Sequence, residues 1–192
     1  MSRVKQKPRT DVRQVLFKSV PRPEKQPLLV VLQRKRGRWA ITLERGTTSG
    51  SPWLAVPIQQ VPALSVALVQ AYQILSELQR HGAAEGLVFP ILVRTLRRNT
   101  GASLKTIEEL RVRVEEFNGH YYVDLAVSRL DGEEWLPPSQ RVTVGFTDIE
   151  PVQAALEYAI KITHHGHQVN QPRADSGSRS SATPPPFPVK GR

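Results

Sequence analysis

The stretch LRVRVEEFNGHYYVDLAVS, residues 110–128, decides the fold. Its apolar residues alternate, with Leu110, Val112 and Val114 on one side of a first run and Tyr121, Val123, Leu125 and Val127 on one side of a second. A period of two sends successive side chains to opposite faces, so each run predicts a strand with one apolar face. Between them stands Asn118-Gly119. A tight hairpin turn needs positive φ at both central residues, and Asn-Gly meets that need at little cost. Residues 110–128 therefore predict two antiparallel strands joined in register.

Working outward, the same pattern recurs earlier in the chain. A shift of 82 places Leu28, Val30 and Leu32 on Leu110, Val112 and Val114, Gly37 on Gly119, Trp39 on Tyr121, Ile41 on Val123, Leu43 on Leu125 and Trp53 on Trp135. The shift then grows to 88, which places Leu54, Val56 and Ile58 on Val142, Val144 and Phe146. It also places Val61, Leu64, Ala67, Leu68, Ala71 and Ile74 on Ile149, Val152, Ala155, Leu156, Ala159 and Ile162. These last positions recur at helical spacing, so a helix with one apolar face closes each copy, beginning near Pro62 and near Pro151, where the first turn tolerates proline. The expected class is α+β: two ββββα repeats, each an antiparallel four-stranded sheet plus one helix, packed into one globular domain. Counted from residue 28, the third strand falls around Trp53 and Trp135 and the fourth on residues 54–58 and 141–146.

The expected organisation is a basic, disordered arm over residues 1–27, repeat one over 28–80, a structured connector over 81–106, repeat two over 107–163, and a disordered Ser/Pro-rich tail over 164–192. Within the arm Val15, Leu16 and Phe17 form a short apolar patch that can dock as an extended segment. In the connector LVFPILVRTLRR (residues 87–98) is apolar enough to be buried as a strand or short helix, and Pro90 rules out an unbroken helix. The tail segment PPPFPVK favours the polyproline conformation, suited to an aromatic groove or to plain solubility.

The formal net charge is +10, unevenly spread. Residues 1–27 carry eight Lys and Arg against two acidic residues, and residues 28–80 six against two, whereas residues 107–163 carry five against eleven. One copy is basic and the other acidic, so the two cannot grip one polyanion alike. The chain has no cysteine, which removes disulfides and thiolate chemistry, and no stretch approaches the roughly 20 apolar residues of a membrane span. The expectation is a cytoplasmic protein without membrane attachment, at the nucleoid if its host is bacterial.

No catalytic constellation emerges. Patterns for nucleotide hydrolysis, dinucleotide binding and the common hydrolases (GxxxxGK[ST], GxGxxG, GxSxG, HExxH) are missing. His164, His165 and His167 cluster at a helix end without a second set of ligands, which reads as favourable positive charge at a helix C-terminus. The expectation is no enzyme, no metal and no cofactor. Glu108, Glu109, Glu115, Glu116, Asp131, Glu133 and Glu134 crowd copy two and read as a solvated acidic face.

Arg34, Lys35, Arg36 and Arg38 bracket Gly37, with Trp39 and Arg45 following, and cations beside an aromatic suit phosphates and unpaired bases. Trp39 also shares its face with Ile41 and Leu43, a core position, so packing and stacking are both open for it. Trp53 and Trp135 are open to the same two readings, as exposed platforms or as caps on the core. Tyr122, Arg111 and Arg113 fall on the strand face turned away from the helix, as do Leu29 and Val31, which suit a contact between repeats or within a dimer. The candidate nucleic-acid-binding set is Arg34, Lys35, Arg36, Arg38, Trp39, Arg45, Trp53, Arg111, Arg113 and Tyr122.

VRVEEFNGHYYVDLAVSRLDGEEW and RVTVGFTDIEPVQAALEYAIK in copy two resemble the purine-rich element binding (PUR) repeat, and copy one, from VVLQRKRGRWAITLERG to the helix, looks like a diverged version. That family belongs with the Whirly and positive-cofactor-four-like folds. The resemblance implies two intertwined repeats whose curved sheets bind single-stranded DNA or RNA, with single-stranded nucleic acid as the partner and a homodimer open. The competing expectation is an assembly module in which the basic copy of one protomer meets the acidic copy of another.

Overall fold

The computed structural model describes residues 12–20, 26–46, 51–99, 106–131 and 133–169. Residues 1–11 of the expected arm and residues 170–192 of the expected tail, PPPFPVK included, lie outside the described residues.

The first sheet is antiparallel and runs in chain order: β1 (Val12–Lys18), β2 (Leu28–Lys35), β3 (Arg38–Arg45) and β4 (Trp53–Pro57). The helix α1 (Val61–His81) follows it. The second sheet contains β5 (Ile91–Asn99), β6 (Thr106–Phe117) and β7 (His120–Asp131) in that order. The far edge of β7 is shared by the short β8 (Glu134–Trp135) and by β9 (Gln140–Gly145), after which α2 (Phe146–Val169) closes the unit.

Both hairpins have the expected register. Lys35 pairs with Arg38 across Arg36-Gly37, and Phe117 pairs with His120 across Asn118-Gly119. All four turn residues have positive φ: 50° at Arg36, 81° at Gly37, 52° at Asn118 and 75° at Gly119. This left-handed backbone costs an ordinary side chain about 1–2 kcal/mol, so Arg36 is held where Asn118 sits more easily.

Several boundaries differ from the sequence expectation. Residues 12–18, assigned to a disordered arm in which only Val15, Leu16 and Phe17 were expected to be able to dock, form the edge strand β1, and the connector, expected as a strand or short helix over residues 87–98, supplies the edge strand β5. Each sheet therefore has a strand ahead of the hairpin, while Trp53 belongs to β4 instead of forming a strand of its own. α2 starts at Phe146, five residues before Pro151, and continues to Val169, past the expected start of the tail. By length and composition the segment Ile58–His81 could cross a membrane. Its apolar face is nevertheless buried in the protein, through Val61, Leu64, Ala67, Leu68, Ala71, Leu75 and Leu78.

One core joins everything. Leu28, Val30, Leu32, Ile41, Leu43, Leu54 and Val56 from the first sheet meet Val112, Val114, Val123, Leu125, Val142 and Val144 from the second, with the buried stripes of both helices between them. The helices are exchanged. α1 lies against β5, β6 and β7 of the second sheet, and α2 lies against β1, β2 and β3 of the first while still touching β7 and β9. Where the helices meet, the rings of Tyr72 and Phe146 stack with centroids 4.9 Å apart. The sheets also meet along β4 and β9, where the Ala55 amide donates to the Gln140 side-chain carbonyl at 3.0 Å.

Candidate functional site

Register fixes which side chains share a face. Leu32 lies opposite Ile41 and Val30 opposite Leu43, and these pairs point into the core. The other face of the first sheet therefore carries Lys35, Gln33, Val31 and Leu29 of β2, Arg38, Ala40, Thr42 and Glu44 of β3, and Trp53 of β4. β1 adds Arg13 opposite Gln33, Val15 opposite Val31 and Lys18 opposite Leu29. Arg13 and Lys18 are five positions apart and would alternate to opposite faces on a regular strand. A bulge at Leu16 resets the phase and brings both cations outward.

This outer face is cationic at its rim and closed at its centre. Leu29 and Val31, which point to this face, are 5 % and 0 % exposed. Arg13 donates to Glu44 at 2.8 Å, and because Arg13 is level with Gln33 and Glu44 with Leu29, this bridge crosses β2 above Val31. The Gln33 side chain donates to the Thr42 hydroxyl beside it. Both bonds lie on the part of the face where the sequence suggests that Leu29 and Val31 make a contact between repeats or within a dimer. Lys35, Arg36 and Arg38 are exposed and have no ion-pair partner among the described residues. Glu44 is the only carboxylate on the four strands of this sheet. Trp53 is 46 % exposed on the same face, next to Glu44.

The other residues of the first hairpin point inward. Trp39 packs against the core, and the Arg34 guanidinium lies over its ring, 5.5 Å from the centroid. Arg45 donates from Nε and Nη2 to the Thr143 carbonyl at 3.0 and 2.8 Å, and from Nη1 to the Gln26 carbonyl at 3.2 Å. It ties β3 to β9, so its guanidinium serves the join between the sheets.

The outer face of the second sheet is built differently. Asp124 is fully buried there and accepts from Arg113 Nη2 and from Arg141 Nε, each at 2.6 Å. Glu115 lies 3.2 Å from Arg113 and accepts from Arg141 at 3.4 Å and from the Tyr122 hydroxyl at 3.3 Å. Burial first, then the Glu115 carboxylate, holds the Tyr122 pKa above its ordinary value. The hydrogen bond to Asp124 is the main reason that Arg141 is raised above the ordinary arginine value. Further along, the buried Glu109 accepts from Arg97 Nε at 3.1 Å and from Arg111 Nη2 at 3.4 Å. Arg111 also lies over the Trp135 ring, 4.7 Å from its centroid.

The ten residues picked from the sequence thus divide by place. Lys35, Arg38 and Trp53 share the exposed outer face, with Arg36 exposed in the turn at its end; Arg34 and Trp39 lie on the core side of the same hairpin; Arg45 joins the sheets; Arg111, Arg113 and Tyr122 occupy the second outer face, each bonded to a carboxylate. The sequence reading omits Arg13, Lys18, Arg97 and Arg141, and the first three become visible only once β1 and β5 are recognised as strands with a bulge. Of the expected solvated acidic face, Glu109 and Glu115 are instead bonded to arginine, as is Asp124, which that reading did not include. No protein-family model matches the chain, and no curated protein matches it in sequence.

Proposed function

We propose that the protein binds single-stranded nucleic acid without catalysing a reaction, and that the outer face of the first sheet is its phosphate grip. The observation that carries this reading is the imbalance of charge there: Arg13, Lys18, Lys35 and Arg38 on the outer face and Arg36 in the turn at its end, against Glu44 alone, with the half-exposed Trp53 next to Glu44 on the same face. Cations supply affinity for a phosphate backbone, and an exposed aromatic favours bases that are free to stack. Residues 1–11 add Arg3, Lys5, Lys7 and Arg9 against Asp11, and the chain enters β1 at Val12 opposite Arg34, at the hairpin end of the sheet.

The two units are, in this reading, copies of one ββββα module of the PUR-like kind. Identical hairpin registers support duplication. So does the bulge, which in β5 falls at Val93, between Leu92 opposite Arg113 and Arg94 opposite Val112; these partners lie 82 residues beyond Val31 and Val30, which flank the bulge in β1. Assembly through opposite charges has less to draw on, since Arg97, Arg111, Arg113 and Arg141 already neutralise the central carboxylates of the second unit. The bulges also blunt β1 and β5 as edges for pairing with another chain.

Competition between an unstructured oligonucleotide and its duplex tests the proposal. Preference for the single strand at low salt is the expected result; equal affinity for both, or none for either, overturns it.

A further inference from the structure

The outer face of the second sheet holds a groove of about 750 Å³ lined by Leu92, Thr95, Arg97, Glu109, Arg111 and Trp135. That volume lies within the roughly 300–1,000 Å³ range of small-molecule sites. The bulge at Val93 directs Thr95 and Arg97 to this face together with Leu92. Leu92 is 58 % exposed, an apolar wall facing water.

Little free charge is presented here. Arg97 and Arg111 share Glu109, and Arg113 is bonded to Asp124. A phosphate would find cations already partnered, whereas a flat ligand would find an ordered surface. Arg111 is fixed twice, by Trp135 beneath it and by Glu109 at its edge, so its guanidinium is held in place before any ligand arrives. A guanidinium plane supported on an indole stacks well on an aromatic ring.

We propose that this groove receives an unpaired nucleobase, stacked on Arg111, of the same strand whose phosphates are held by the first sheet. This assignment rests on the single-stranded reading above: the first sheet grips the backbone, and the second adds a base contact to the one that Trp53 offers. Trp135 is a positioning residue for Arg111.

The test uses the full chain, an oligonucleotide, and an abasic strand with the same number of phosphates. The proposal expects the wild type to prefer the strand that carries bases. Arg111→Lys keeps the charge toward Glu109 but loses the plane; it should lower affinity for that strand about tenfold, the scale of one stacked base, and leave the abasic strand and the salt slope unchanged. Trp135→Ala should act in the same direction. If the wild type binds both strands equally, or if Arg111→Lys keeps the full preference, the groove assignment is wrong while the backbone grip stands. No binding of either strand by the wild type would overturn the single-stranded reading itself. Circular dichroism of each variant separates weakened stacking from unfolding, and Arg111→Lys, the milder change, decides if Trp135→Ala unfolds.

Discussion

Asp124 has no exposed surface and two arginines within 2.6 Å, and that arrangement sets the effect of removing it. Asp124→Ala would leave Arg113 and Arg141 without their central acceptor in a partly desolvated site, and breaking such a pair costs about 3–5 kcal/mol. Chemical denaturation should show a loss of that size, whereas the exposed bridge from Arg80 to Glu77 should be worth under about 1 kcal/mol. Tyr122 predicts a pH dependence. Its folded pKa is raised, so the folded state holds the phenolic proton more tightly than the unfolded chain does. Below the ordinary value of 10.0 both states are protonated and the contribution is fully present; it is lost as pH rises from there through the folded pKa. Tyr122→Phe should therefore show a shallower alkaline loss of stability than the wild type. A loss of equal steepness in both proteins would place its cause elsewhere.

Among the elements, the β2–β3 hairpin shows a conflict between stability and charge. Arg36 occupies a left-handed position that its counterpart Asn118 fills in the β6–β7 turn. Arg36→Asn should stabilise the protein by roughly 0.5–1 kcal/mol and weaken binding to a polyanion at the same time. Thermal melting beside an oligonucleotide titration checks both signs at once. Both hairpins were legible in the sequence because alternation and a two-residue turn are local signals. The edge strands were legible only in part: Val15, Leu16 and Phe17 read as a patch able to dock as an extended segment and residues 87–98 as a strand or short helix, without a register for either. In VRQVLFK the apolar residues Val15, Leu16 and Phe17 run together across the bulge, and in ILVRTLRRN the extra residue Val93 breaks the alternation in the same manner. A strand whose phase resets midway hides which of its residues share a face, and so Arg13, Lys18 and Arg97 escaped the candidate site while the adjacent hairpin cations did not. Arg45 misled for a different reason: its spacing after Trp39 suggests a basic patch, but its partner, the Thr143 carbonyl, is distant in sequence.

At the scale of the whole molecule the exchanged helices matter most. The apolar face of α1 was visible in the 3.6-residue period, but periodicity reports only that a helix is covered on one side. It does not say by which sheet. Because α1 lies on β5, β6 and β7, a fragment ending near residue 86 would expose Leu64, Leu68, Leu75 and Leu78 together with the inner face of its own sheet. Such a fragment should be unfolded as a monomer, or fold only at concentrations where a second copy offers its sheet. Circular dichroism against concentration checks this, and a cooperatively folded monomer would contradict the exchange. The intact chain should unfold in one transition, since both sheets and both helices share one core.

The phosphate grip proposed for the first sheet's outer face is measured by the salt dependence of oligonucleotide binding. For a single strand the slope of log K against log salt changes by roughly 0.7 for each phosphate that is no longer neutralised. Replacing Lys35, Arg36 and Arg38 together with glutamine should flatten the slope by about 2 and weaken binding at low salt, if each neutralises one phosphate. An unchanged slope in a folded triple variant would contradict a phosphate grip on this face.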